Sequence, residues 1–567
     1  MRSASRRIRF TARAAIATAL VSALLPISAA VAADPPVARP APTAVPAEDD
    51  RLADDGLADE PTGEQDDSAG GPALARPGAP AAGALSAPIP GRPGDFQIRA
   101  GASLTGLVTR LDAALPKQSL TRLLEQADRT AGWGAACGDL DIYGPLLQPQ
   151  NRACPRHGDE TTSEWIPQAI TGVSDAVEDE KWGESPATPV VTSSYDKVNT
   201  GRSDYASGRD NCVAPTSDLT CNEKGARITF LNQSTGKYRH VLLVWPYQNT
   251  NGNISFDALH AREGTCPDTG PRPADCKAEQ GIHAGGMVWF RNYLYVADTS
   301  NGFRVFDMRK IMDLDPDQNP AVNDPTPDGL ISNVQDERRV GRQNSVWYSF
   351  GYRYVLPQVA TLTFTAGTHG GPTADGQCYT TGRPKASYAS LDRTGVPHLI
   401  VGEYCNRNQG GDSTGRVGVL PMEALAAVVE SGSTVPIDAT EAYGLPTTGT
   451  FGTGTERLWH KIQAALRYDG KWYFHRSNHH SKGVLLQATP QQNQLTGNPI
   501  TLESTIGVED LYLAHGRGLN RPPELWSLSE HAEGLTDYNV QPPKVCTACA
   551  REVYSYSMSS VLTGFGL

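Results

Sequence analysis

After its first 25 residues the chain has no apolar stretch long enough to cross a bilayer, so no spanning helix is expected in its body. It also lacks a phosphate-binding loop, a dinucleotide fingerprint and an H-E-x-x-H segment, which sets aside the commonest nucleotide and zinc-hydrolase chemistries. Basic residues are in the minority, 50 against 62 acidic ones. Five of the basic residues, Arg2, Arg6, Arg7, Arg9 and Arg13, precede any acid, leaving 45 against 62 in the remaining chain. Nucleic acid and anionic membrane surfaces are therefore poor partners, because binding by counterion release needs clustered Lys and Arg.

What is present at the start reads as an export signal. A basic stretch, an apolar run from Ala14 to about Leu25 and small residues through Ala29-Ala30-Val31-Ala32-Ala33 fit a signal peptide over residues 1–33. Arg6-Arg7 suggests the twin-arginine route, but Phe10 stands one place too far along for that signal. The expected location is secreted, extracellular. Ten cysteines in an exported chain read first as disulfides, and their spacing suggests sequential local pairs: Cys137–Cys154, Cys212–Cys221, Cys266–Cys276, Cys378–Cys405 and Cys546–Cys549. The last pair has C-x-x-C spacing. Pro542-Pro543 before it and strand-like Val553–Tyr556 after it favour a structural clip over a redox site, and no second C-x-x-C completes a zinc site.

Residues 34–97 are rich in Ala, Pro and acids and read as a disordered linker. Residues 98–164 form a helical and loop segment: Leu104, Leu107, Val108 and Leu111 have helical spacing, Pro116 breaks it, and Ser119 caps a second helix. From 165 to 567 the text becomes short strands and turns. Met287–Phe290, Tyr293–Asp298 and Phe303–Asp307 are joined by tight hairpins at Arg291-Asn292 and Asn301-Gly302. The same grammar recurs around Ile166–Phe230, Ala386–Leu420, Lys461–Leu486 and Val508–Leu528. Repeated four-stranded antiparallel units predict an all-β fold, a β-propeller of five four-stranded blades, with a β-sandwich or two smaller β domains as the alternative. In architecture it resembles secreted β-propeller proteins of actinobacteria, over roughly residues 165–558, with no catalytic motif of a named family.

A propeller implies a working face, because the starts of the inner strands and the ends of the second strands share one end of the ring. The aligned starts are Gln168, His283, Ser387, Gln463 and Glu509, and the aligned ends are Asp196, Asp298, Glu403, Arg476 and His515. Adjoining loops add Tyr404, Arg407, His479, His480 and Arg517. Polar groups converging at a channel mouth suit a ligand site. The candidate catalytic residues are His283, Glu403, Glu509, Asp298, His480 and His515. The candidate ligand-binding residues are Gln168, Asp196, Tyr404, Arg407, Gln463, Arg476, His479 and Arg517.

Two acids drawn from Asp196, Asp298, Glu403 and Glu509 would suit glycoside hydrolysis, as in the five-bladed glycosidases this architecture resembles. His with Arg and Tyr would suit proton abstraction beside a sugar carboxylate, as in propeller polysaccharide lyases. The expected partner is an extracellular polysaccharide or cell-envelope glycan, met by a monomer; the alternative is a non-catalytic glycan- or protein-binding propeller. No cofactor is required by this reading. A metal on His283, His479, His480 and His515 lacks any preset ligand spacing. Asp313-x-Asp315-x-Asp317 resembles the start of a calcium loop, although Gln318 stands where Gly is needed. Gly411-Asp412-Ser413-Thr414-Gly415 fits a nucleophile elbow in letters only, since a strand rather than a helix follows it.

Overall fold

Tight turns are where this sequence most directly dictates its structure. Asp469 and Gly470 both adopt left-handed backbone (φ 50° and 70°), the combination that closes a two-residue hairpin with the strands' own twist. Tyr468 accordingly pairs with Lys471, and the strands Ile462–Tyr468 and Lys471–Arg476 run on from there. Arg291 takes the same conformation (φ 52°) between Phe290 and Tyr293.

The computed structural model describes residues 90–138, 140–162, 164–182, 188–196, 224–249, 251–259, 282–299, 301–316, 330–337, 339–367, 378, 381–405, 414–449, 458–478, 480–534, 536–537 and 544–567. All lie in one compact unit, Ala58–Leu567. The signal-like segment, Cys212, Cys221, Cys266, Cys276, Asp317, Ser413, Arg407 and His479 fall outside the described residues.

The fold is mostly β, built from antiparallel runs of strands. Run I is Trp165–Gly172, Pro189–Asp196, Ala226–Asn232 and Lys237–Gln248. Run II is Met287–Phe290, Tyr293–Asp298, Gly302–Asp307 and Tyr354–Phe364. Run III is Tyr388–Asp392, His398–Gly402, Arg416–Pro421 and Glu441–Gly444. Run IV is Ile462–Tyr468, Lys471–Arg476 and Lys482–Gln491, with Gln494–Gly497 and Leu502–Ile506 both paired to the last. Run V is Val508–Ala514, Glu524–Ser529, Val553–Ser557 and Asn151–Cys154. Parallel pairing of outer strands merges I with II into a twelve-stranded sheet, and III with IV into a nine-stranded one.

The strands are buried on both faces rather than alternating. Every residue of Tyr293–Asp298 and of Gly302–Asp307 is buried, which requires a layer on each side of the sheet. Hydrophobic clusters supply those layers between I and II, II and III, III and IV, IV and V, and V and I. The first strands of successive runs pack on one another in the same cyclic order.

Two features of the N-terminal segment are not visible in its local pattern. Helices Thr105–Ala114 and Leu120–Glu125 are present, the second capped by the Ser119 hydroxyl. The same segment also supplies Asn151–Cys154 as the fourth strand of run V, so Val553–Ser557 is the third strand and not the outermost. The chain is packed earlier than the compositional boundary at 97: Gly91 N donates to Asn493 O (2.8 Å) and Phe96 is fully buried. The described disulfides, Cys137–Cys154, Cys378–Cys405 and Cys546–Cys549, join the sequential partners.

Candidate functional site

Strand register brings most of the candidate residues to one end of the runs. Asp196 stands opposite Trp165. Ala297 N donates to Gly286 O, Ser387 N to Gly402 O, Ser477 N to Lys461 O and Glu530 N to Gly507 O. The second strands of runs I to V therefore end, at this one face, on Asp196, Asp298, Glu403, Arg476 and Glu530. Glycine makes the close approach possible between runs II and III: a Cβ on Gly286 would lie 2.1 Å from Ala389 N.

His515 and Arg517 are elsewhere. Val508–Ala514 is the first strand of run V, so its C-terminal neighbours emerge at the opposite end. There His515 N donates to Ser174 Oγ (2.9 Å), and Arg517 pairs with Glu178 (3.0 Å). The residue that matches Asp298 and Glu403 in run V is Glu530. Its signal in the sequence, an acid closing the strand Glu524–Ser529, is the same as in runs I, II and III.

Two of the acids proposed as catalytic are bound within their own sheets. The Glu403 carboxylate accepts from Arg416 Nε and Nη2 (2.9 and 2.8 Å), and neither side chain is more than 1% exposed. Asp298 accepts from Arg304 Nε (2.8 Å) and Asn301 Nδ2 (3.2 Å). Asp196 Oδ2 accepts from Lys224 N (2.6 Å), whose ammonium pairs with Glu164 (2.8 Å). In each case an acid at the end of a second strand ties down the entry to, or the body of, the third. Gln168, Arg476 and Glu509 are also buried, at 2%, 0% and 1% exposure, so they face protein more than solvent.

Other side chains meet across neighbouring runs at this end. Tyr195 of run I stacks on His283, just before run II, with ring centroids 4.5 Å apart. Gln168 Nε2 of run I donates to Glu530 Oε2 of run V (2.9 Å), and Gln463 Nε2 of run IV to Glu509 Oε1 of run V (3.2 Å). The rings of His480 and His531 meet edge to face at 5.1 Å, and His531 Nδ1 lies 3.4 Å from Glu530. Among these, His283, Gln463, His480 and His531 are half-buried, as are Tyr404 and Lys385 nearby. Glu530 and His531 are the members that sequence reasoning missed.

Perturbed groups lie deeper in the fold: Asp510 on the first strand of run V, Asp175 just after that of run I, and His475 on the second strand of run IV. Asp510 Oδ2 accepts from Ile170 N (3.3 Å), and burial pushes its carboxyl well above the usual range despite backbone donors that oppose the shift. Asp175 accepts from Thr171 Oγ1 (2.8 Å) and is pushed up to about 8, again by burial, with Arg393 opposing. His475 is pushed down to about 4 by burial, so its ring is neutral near pH 7. Asp313, the first residue of the calcium-like motif, is gripped by Arg353 through two 2.7 Å bonds. Among the described residues no group of three His, Cys, Asp or Glu is assembled in metal-binding geometry.

No family model matches this sequence, and no curated protein does. Solved structures with a distant likeness include a putative oxidoreductase (glucose dehydrogenase) from Thermus thermophilus, at 11% identity over 70% of this chain and 98% of that one, with a TM-score of 0.26. Another is a GH43_1 enzyme from Xanthomonas citri complexed with xylose, at 9% identity over 70% of this chain and 88% of that one, also with a TM-score of 0.26. Likeness at this level carries no argument about site or substrate, and the geometry above stands on its own.

Proposed function

We propose that the five strand runs are the blades of a β-propeller, exported by the N-terminal signal, that acts on extracellular glycan at the end of the ring bearing His283. The cyclic order of the packed first strands supports the propeller reading. One observation carries the site: side chains of adjacent runs meet pairwise around that end, through Tyr195–His283, Gln168–Glu530, Gln463–Glu509 and His480–His531. Such convergence from separate blades suits one shared ligand better than independent solvation of loops.

Within glycan chemistry the geometry leans toward a lyase. Asp298 and Glu403 are neutralised by Arg304 and Arg416, which removes two of the four acids available for a hydrolytic pair. A half-buried imidazole held against a tyrosine ring is a suitable base for the proton beside a uronate carboxylate, and Lys385 at the same end supplies positive charge. In that elimination the base takes the carbon-bound proton, the carbon–oxygen bond to the leaving sugar breaks with that oxygen taking up a proton from water, and a double bond forms in the ring.

The test is incubation of the purified chain, without residues 1–33, with uronate-bearing and neutral polysaccharides. Unsaturated-product absorbance and new reducing ends are read together, alongside His283→Ala. Absorbance that disappears in the variant supports the lyase arm, and reducing ends without absorbance support hydrolysis. Binding without either product assigns a non-catalytic propeller. Absence of turnover and binding overturns the glycan reading.

A further inference from the structure

A second polar centre lies where runs I and V adjoin, beside the paired residues of the His283 end. It is built around Asp159, which follows the strand Asn151–Cys154. Arg227 Nη2 reaches Asp159 Oδ1 and Arg129 Nη1 reaches Oδ2, both at 2.8 Å. The hydroxyl of Tyr238 donates to the same carboxylate at 2.9 Å, and His240 Nε2 lies 3.1 Å from it. Burial works to raise the Asp159 carboxyl, but the His240 hydrogen bond and the two arginines outweigh it and hold the group well below the usual range. His240 itself is pushed down to about 4 by burial and by Arg227, so it adds no positive charge near neutrality.

Arg551 completes the centre, and among the described residues no carboxylate is in hydrogen-bond contact with it. Its Nη1 donates to the backbone oxygens of Asp159 (3.1 Å) and Thr162 (2.6 Å), and its Nε to Glu530 O (2.6 Å). The nearby Glu552 carboxylate is engaged by Arg152. Arg129 and Arg227 thus hold the Asp159 carboxylate, while Arg551 reaches the same residue through its backbone oxygen. Arg227 and Arg551 are 94% and 97% buried, and each keeps one nitrogen, Nε and Nη2 respectively, without a hydrogen-bond partner among the described residues. An unsatisfied charged donor in a protein interior is costly, and an anion removes that cost. Burial and the neighbouring Arg227 charge also press the Arg551 guanidinium down to about 10, a direction that a bound anion would reverse.

Both arginines line one cavity of about 60 Å³, with Leu231, Leu528 and Val553 among its apolar walls. At about 30 Å³ per water, that space suits one small oxoanion group. It shares Asp159, Trp165, Arg227 and His240 with a cleft of about 300 Å³ lined also by Arg129, by Arg239 paired with Asp128, by Lys224 paired with Glu164, and by Glu337.

We propose that this pair of cavities is an oxoanion-binding site, seating a carboxylate or sulfate group between Arg227 and Arg551 and the body of an acidic saccharide in the larger cleft. Planar guanidinium forks match such groups in geometry as well as charge. The site adjoins the His283 end through Glu530 and Lys224, but its test reads anion binding and not turnover, so its failure is distinguishable from that of the glycan reading.

The experiment is calorimetric titration of the chain without residues 1–33, using sulfate, glucuronate and glucose in chloride buffer of constant ionic strength. Hydrogen exchange of residues 226–232 and 551–557 is followed in parallel. Sulfate and glucuronate are expected to bind and to slow exchange in both segments, while glucose does neither. Binding of glucuronate but not sulfate assigns a sugar carboxylate; binding of sulfate alone assigns an inorganic oxoanion. Arg227→Lys and Arg551→Lys should each weaken binding about tenfold, the equivalent of one charge-assisted hydrogen bond. If either variant fails to fold, exchange in the natural chain decides. Equal binding of glucose, or no anion effect beyond chloride, overturns the proposal.

Discussion

Replacing Glu403 by alanine separates a structural carboxylate from a catalytic one. In the native fold Glu403 and Arg416 form a two-pronged pair, buried to 1% and 0% exposure, and Glu403 Oε1 also accepts from Lys385 N at 3.2 Å. Deleting the carboxylate leaves the buried guanidinium with Asp95 (2.9 Å), Gly382 O (3.2 Å) and the Phe96 ring (5.7 Å) among the described residues. Breaking a buried pair from one side costs about 3–5 kcal/mol. Asp95 still compensates part of the charge, which places Glu403→Ala near 3 kcal/mol, with up to about 1 kcal/mol more for the lost Lys385 bond. Replacing both partners, Glu403→Ala with Arg416→Met, removes the stranded charge and should recover much of that loss, giving a coupling of about 1–3 kcal/mol. Urea unfolding of the four chains, followed by tryptophan fluorescence, supplies the cycle, and hydrogen exchange in Arg416–Pro421 reports local opening. The reasoning fails if Glu403→Ala unfolds within about 1 kcal/mol of the natural chain yet loses glycan turnover or binding. Glu403 would then be directing its charge to a ligand and not to Arg416.

Two further outcomes follow from burial and chain connectivity. Asp175 keeps its proton in the native state up to about pH 8, whereas an unfolded carboxyl releases it near 3.9. Its contribution is therefore complete below about pH 4 and is lost as pH rises through about 8. Asp175→Asn should be the more stable chain at pH 9 by more than about 1 kcal/mol and should differ little at pH 4; parallel urea midpoints across pH 4–9 would refute this. Among the disulfides, Cys378–Cys405 spans 27 residues and Cys546–Cys549 only 3. Chain entropy assigns the first about 3–4 kcal/mol and the second about 2, so the Cys378→Ser/Cys405→Ser chain should melt below Cys546→Ser/Cys549→Ser. The reverse order would show that the longer loop is already restrained in the unfolded chain.

The hairpins at Arg291-Asn292 and Asp469-Gly470, the Ser119 cap and the three described disulfides were legible because each depends on residues close in sequence. The acids at the ends of the second strands were legible as positions, but the partners of their carboxylates were not. Arg304 and Arg416, 6 and 13 residues onward, are the partners that neutralise Asp298 and Glu403. An acid closing one strand and a base on the next was the available sign. His515 was assigned to the wrong end because Val508–Ala514 was aligned as though it carried both a first and a second strand. With that corrected, Glu530 takes the vacant place.

By itself the sequence determined a mostly β body after a signal-like start, an acidic balance that disfavours nucleic acid, and the local turns that let strands pair with their neighbours. Those properties rest on composition and on backbone preferences a few residues wide. The tertiary structure alone decided which charges are used up and which converge. Asn151–Cys154 joins a strand some 400 residues later, and that pairing brings Asp159 beside Arg227 and Arg551, at separations of 68 and 392 residues. Contacts of that range arise only when the chain closes on itself, because burial then forces each buried charge to find its partner among whatever side chains the closure brings within reach.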